Sequence, residues 1–246
     1  MNKFNTTFEI DPSIVTDLPA DTGSSSFKQY KRSLLRFAEE SVYIYSFKHK
    51  KLIYADGWQE TLGFKDDEIT LQTIIKQTDP SYAAFSHEIN AKTIDFLLSR
   101  KSGIKEYSFT VEMKKIHKNG TMVPMEAKIG ILSVDEDGLV DEIIGRFRVN
   151  QNLHFGIVMR YDVHGPDKEE FEEVINKAVQ KFLTISGKEK EALVYVAKGY
   201  SFKEIADILG VSSSAIEKRI HPLYKRFNVK NLTHLVSFAY ENHILP

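Results

Sequence analysis

Two helix-start signals of the same form, close together near the C-terminus, constrain this chain most. Ser186 with Glu189, and Ser201 with Glu204, both have the pattern S-x-x-E. In that pattern the serine hydroxyl accepts from the backbone N–H three residues on, and the glutamate reaches back to the serine N–H. Each pair therefore marks the start of a helix. Gly210 is placed to end the second helix, and Ser212 to cap a third. Apolar residues recur between these signals at helical spacing: Leu193, Val196 and Ala197; Ile205, Ile208 and Leu209; Ile216, Ile220, Leu223 and Phe227. Residues 183–246 are thus expected to form an all-α, four-helix domain. A short helix, a tight turn and a second helix with Glu217, Lys218, His221 and Lys225 on its outer face make a helix-turn-helix.

The N-terminal two-thirds predicts an α+β domain. Residues 1–40 read as an arm, with Pro12, Pro19 and a Gly-Ser-Ser-Ser run at 23–26, followed by a helix over Phe27–Glu39. Val42 and Ile44, a polar turn at Lys48–Lys51, and Leu52, Ile53 and Tyr54 then predict strand, turn and strand. Short helical pieces at Trp58–Leu62 and Ile69–Lys76 precede a longer helix over Ser86–Arg100. Tyr107, Phe109, Val111 and Met113 alternate with polar partners, and Asn119-Gly120 is a strong hairpin signal. Return strands follow through Val123–Ile131 and Ile143–Val149. The further alternation Leu153, Phe155, Ile157, Met159, Tyr161 implies either a bulge in residues 139–149 or a sixth strand.

Two family resemblances rest on these residues. Ile185–Leu193, the run Gly199-Tyr200-Ser201-Phe202-Lys203-Glu204-Ile205-Ala206 and the ending Arg226-Phe227-Asn228-Val229 resemble the LuxR-type (GerE-like) DNA-binding domain. Where that family usually carries Thr-Val-Lys-x-His in its recognition helix, this chain has Ala215, Ile216, Glu217, Lys218 and Arg219. The resemblance thus implies the fold and DNA binding, but not the preferred DNA sequence. Residues 41–163 resemble a PAS domain in element order, with Gly63-Phe64, Thr78-Asp79-Pro80 and Lys118-Asn119-Gly120 at matching places. That resemblance implies an antiparallel sheet with flanking helices, acting as a sensor. Between the two modules, residues 164–182 predict a linker helix. Its seam is Phe171, Ile175, Ala178 and Phe182, which would either pair with a second copy or pack on the sheet.

Candidate DNA contacts come from the outer face of the third helix. Glu217, Lys218 and His221 are expected base readers, since lysine can donate to guanine and glutamate can accept from cytosine. Lys203, Ser213, Ser214, Lys225 and Arg226 are expected phosphate contacts. Arg219 stands at a position that faces either DNA or the bundle. Pro222 removes a backbone donor and crowds the carbonyl of Lys218, which leaves open a kink or a slight bend. Tyr43, Tyr45, Trp58, Phe85 and Phe96 are either the lining of a sensor cavity or plain core aromatics.

Composition narrows the function. Hydrophobic content of 42% and charged content of 27% suit a globular protein. Nine Lys/Arg stand against six Asp/Glu from Leu183 onward, so the basic excess sits on the DNA-binding module of a chain whose net charge is −1. There is no cysteine, which excludes disulfides, thiolate metal sites and a cysteinyl flavin adduct. The eight histidines form no ligand pattern, and His87 is read as a surface residue rather than a haem ligand. No metal, no cofactor and no catalytic constellation is expected, though a small-molecule ligand in the PAS-like module is left open. No apolar run is long enough to span a membrane, and a cytoplasmic location is expected. The expected partners are double-stranded DNA, a second copy of the chain and RNA polymerase. The competing expectation keeps DNA binding but makes the N-terminal domain a ligand-free dimerisation or docking platform.

Overall fold

The computed structural model describes residues 16–100, 102–153, 155, 159–180, 182, 185–242 and 244–245. The chain divides into two compact units. One comprises Met1–Leu153 with Tyr161–Val174, the other His154–Arg160 with Ile175–Pro246.

In the N-terminal unit, α1 (Ser25–Ser33) precedes the strands β1 (Glu40–Ser46) and β2 (Lys51–Asp56). Two short helices follow, α2 (Trp58–Leu62) and α3 (Leu71–Lys76), then a 3-10 turn at Pro80–Tyr82 and the long α4 (Ala83–Leu98). The meander is β3 (Ser108–Ile116), β4 (Met122–Val134) and β5 (Val140–Val149), closed by β6 (Tyr161–His164). All strand pairs are antiparallel, and the spatial order is β2-β1-β5-β4-β3-β6. This is the PAS-like element order with one strand added at the β3 edge. Of the alternating run that begins at Leu153, Tyr161 opens β6, and residues 154 and 156–158 lie outside the described residues.

Both faces of β1 are buried, which explains its nearly unbroken apolar run. Val42, Ile44, Ile53 and Tyr54 form one cluster, onto which Phe27, Tyr30 and Leu34 of the α1 region pack. Ser24 caps α1 by accepting from the Phe27 N–H, and the Tyr30 hydroxyl donates to Glu142 at 3.0 Å. The helix expected over Phe27–Glu39 stops at Ser33, and Leu34 is extended. Arg36 explains the early stop. It reaches Asp56 at 3.0 Å and Glu60 at 2.7 Å and donates to the carbonyls of Phe37 and Glu40. These bonds hold the connector to β1 in an extended path and leave Leu35 and Phe37 exposed.

On the opposite face of the sheet, Tyr43 lies beside Gly145. A Cβ there would stand 2.2 Å from the tyrosine ring, so a strand interior that would ordinarily disfavour glycine requires it.

Helix α5 (Lys168–Gln180) begins in the N-terminal unit. Its Phe171 stacks on Phe96 with ring centroids 4.4 Å apart and planes 3° from parallel. Ile175 and Ala178 are also buried, and Phe182 is half-buried. The stripe expected as a pairing seam is therefore covered within the chain over Phe171, Ile175 and Ala178. Burying a side chain as large as Phe171 is worth about 2–3 kcal/mol, more than a short exposed seam would gain before dimerising.

The C-terminal unit is helical: α6 (Gly187–Ala197), α7 (Phe202–Leu209), α8 (Ser213–Arg226) and α9 (Leu232–Glu241). Both expected capping boxes are formed, at Ser186 with Glu189 and at Ser201 with Glu204. Gly210 ends α7 in the left-handed region with φ 63°, where a side chain would be strained. Leu193, Ile205, Ile216, Ile220, Leu223 and Leu235 are fully buried, and Phe227 stacks on Phe238 at 5.0 Å. Ile208 departs from its expected inward place and is 47% exposed. The inner face of the short α7 is set by Ile205 and Ala206, and one turn later Leu209 rather than Ile208 continues it.

Candidate DNA interface and sensor core

Helix α8 has two sharply different faces. Ile216, Ile220 and Leu223 are wholly buried and fix its roll. Ser214, Glu217, Lys218, His221 and Lys225 are exposed and share the other face at spacings of three, one, three and four residues. The Ser212 hydroxyl accepts from the Ala215 N–H at 3.2 Å, so the helix starts where the sequence places it. Helix α8 runs on through Pro222 to Arg226. Its N–H would have met the Lys218 carbonyl, which is left without that bond on the exposed side.

His221 is exposed but not unsupported. Its ring lies 5.8 Å from that of Phe202 at the start of α7 and 5.7 Å from that of Tyr224. Among the described residues Lys203, Lys218 and Lys225 are exposed and enter no ion pair, so their charges are available to an outside polyanion. Ser213 is half-buried at the helix start beside Ser214.

Two arginines turn inward. Arg219 lies 3.7 Å from Glu191 with its side chain only 18% exposed, which places it on the bundle side. Arg226 was expected at a phosphate, yet its guanidinium donates to both carboxylate oxygens of Glu189 at 3.0 Å. Glu189 also accepts from the backbone and hydroxyl of Ser186. Burial pushes the Glu189 carboxyl up, but Arg226 and Ser186 outweigh it and hold it below the usual carboxylate range. One carboxylate thus caps α6 and ties it to the end of α8.

The five candidate sensor aromatics are all buried. Tyr43 and Trp58 flank Phe147, at centroid distances of 6.0 and 5.4 Å. Trp58 is fixed at both ends, its indole N–H donating to the Val42 carbonyl and its backbone N–H to Asp66. Tyr45 pairs instead with Phe47, and Phe85 is buried on α4. Phe96 sits with Tyr107 and Phe171.

Sequence reasoning overlooked the polar groups of this core. Lys115 is only 2% exposed, and its ammonium donates to the Ile74 carbonyl at 2.6 Å and to Thr78 Oγ1 at 2.8 Å. It lies 5.4 Å from the centre of the Phe147 ring. Burial lowers its pKa to about 7. Ser41, directly opposite Phe147 in the β1–β5 register, is fully buried, and its hydroxyl has no hydrogen-bond partner among the described residues. The signal for Lys115 was present: it continues the inward alternation Phe109, Val111, Met113 in phase.

An amphipathic α8 rolled by a buried stripe, preceded by α7 and a tight turn, defines a helix-turn-helix DNA-binding domain. Residues 183–239 match the family model for bacterial regulatory proteins of the luxR family, and this domain belongs to that family. The chain accordingly carries a luxR-family DNA-binding domain after an N-terminal unit whose six-stranded antiparallel sheet has the PAS-like element order. No curated protein matches the chain. Among solved structures, the phage VqmA–DPO complex is 19% identical, with 88% of this chain and 89% of that chain covered and a TM-score of 0.37. The Vibrio cholerae VqmA dimer without target DNA is 15% identical, with 90% and 89% covered and a TM-score of 0.36. The N-terminal domain of a Marinobacter aquaeolei diguanylate cyclase with a PAS/PAC sensor is 12% identical, covering 45% of this chain and 94% of that one, with a TM-score of 0.37. Among the described residues no helix is long and apolar enough to cross a membrane. No group of three or more His, Cys, Asp or Glu there is placed to hold a metal ion.

Proposed function

We propose that this chain is a one-component regulator that binds double-stranded DNA as a homodimer and senses a small molecule in its PAS-like unit. The observation that carries the DNA half is the exposed row Ser214, Glu217, Lys218, His221 and Lys225 opposite a fully buried stripe. Glu217, Lys218 and His221 read base edges in the major groove, while Ser213, Ser214, Lys203 and Lys225 hold phosphates. Arg226 leaves the phosphate set because Glu189 occupies it. RNA polymerase is the partner through which bound DNA would be read out.

The sensing half is supported by Lys115 and the unpartnered Ser41 hydroxyl, two buried polar groups around Phe147. A small aromatic or apolar ligand with an acceptor group suits such a core. The competing reading, a ligand-free docking platform, is favoured by Lys115 already having two acceptors inside the protein. The test of the regulator reading is selection of bound fragments from a random double-stranded DNA pool by the full-length protein. A two-fold symmetric motif is expected, with half-site spacing set by the dimer. Recovery of the unselected pool composition, or of a single unsymmetric half-site, would overturn sequence-specific dimeric binding.

A further inference from the structure

Phe96, Tyr107 and Phe171 form a compact cluster, and each ring contacts the other two. Phe96 stacks on Phe171, Tyr107 stands edge-on to Phe96 at 5.7 Å, and Tyr107 meets Phe171 at 6.1 Å and 77°. Arg100, just past the end of α4, covers this cluster. Its guanidinium carbon lies 4.2 Å from the centre of the Phe96 ring. The same group donates to both oxygens of Glu170, at 3.0 and 2.8 Å, and to Asp167 at 3.2 Å. Asp167 also accepts from the Tyr107 hydroxyl at 2.7 Å. Gly165 brings the incoming chain against the Tyr107 ring, where a Cβ would stand at 2.1 Å. One planar cation therefore joins the end of α4 to the first turn of α5, using the face and edge geometry that suits arginine rather than lysine.

We propose that Arg100 is a positioning residue, a latch that fixes the start of α5 on α4 and through which the PAS-like unit controls DNA binding. Two further observations place the latch on a connected route. Lys115 holds Thr78, which lies two residues before the turn Pro80–Tyr82 that opens into α4. At the other end, α5 is one continuous helix, and its residues from Ile175 onward belong to the C-terminal unit. A shift of α4 that unstacked Phe96 from Phe171 would also misalign the Arg100 fork, because a stacked ring pair and a two-pronged ion pair have discrete arrangements. The carboxylates are half-exposed, so the ion pairs hold the latch only marginally. A latch of that strength can be released by a modest change in the core.

The inference rests on the regulator reading, and its test separates the two. Full-length Arg100→Met and Glu170→Gln are compared with the wild type for hydrogen exchange and for affinity to the DNA fragments selected by the wild type. Both variants are expected to speed exchange of amides 168–174 about tenfold while the β-sheet amides stay protected. Both are expected to change DNA affinity by about fivefold in the same direction. Faster exchange with wild-type DNA affinity would reduce Arg100 to a structural tie and overturn the control role. Unchanged exchange would overturn the latch itself. A wild type that selects no DNA would instead sink the regulator reading, with exchange still reporting on the latch.

Discussion

At the scale of single residues, burial makes the Lys115 charge costly. Its folded pKa of about 7 lies well below that of an exposed lysine. Between those two values the unfolded chain binds a proton that the folded chain does not. Stability attributable to this group is therefore lowest below about pH 7 and rises with pH through the interval above it, by up to about 1.4 kcal/mol per unit. Denaturant unfolding of the full chain from pH 7 to 9 should show this rise, and Lys115→Met should abolish it; a parallel slope in the variant would assign the rise elsewhere. On α8, Lys218 and Lys225 share a face but separate by role. Lys218→Ala should cost about 1–3 kcal/mol on the selected site and relax base preference at one position. Lys225→Ala should weaken all sequences alike and reduce the magnitude of the salt slope by about one. Binding isotherms at several salt concentrations on selected and scrambled DNA measure both.

At the scale of elements, the ends of helices decide more than their middles. Glu189 shows this, being the third helical residue of α6 and the partner of Arg226 at the end of α8. Glu189→Gln keeps the shape but removes the charge that answers Arg226. A loss of about 1–3 kcal/mol in the stability of the C-terminal unit is expected. The wild-type contribution should fade as pH falls through the lowered carboxylate range, and the variant should lack that acid dependence. Thermal unfolding at pH 3.5 and 7 compares them, and equal losses at both pH values would count against the ion pair. Two other elements show where periodicity misleads. The apolar pattern of residues 27–37 is helical throughout, yet Arg36 stops the helix by finding Asp56 and Glu60, which are distant in sequence. The α5 stripe has heptad spacing, yet Phe171 finds Phe96 within its own chain.

At the scale of the whole molecule, local chemistry and tertiary placement divide the explanation. The capping boxes, the Gly210 turn, the Asn119-Gly120 hairpin and the strand alternation act over a few residues, and they were legible because the groups that satisfy them are sequence neighbours. For the same reason the helix-turn-helix and its exposed row could be written down from the chain alone. Tertiary structure decided whatever needed a partner far away. It joined Arg226 to Glu189, turned Arg219 inward, and set Phe96 against Phe171. It also turned Lys115 from an in-phase polar exception into a buried cation held by Thr78 and Ile74. The physical reason is that periodicity reports which way a side chain points relative to its neighbours. Which charge or ring meets it there is set only when the elements of each unit close around their own core.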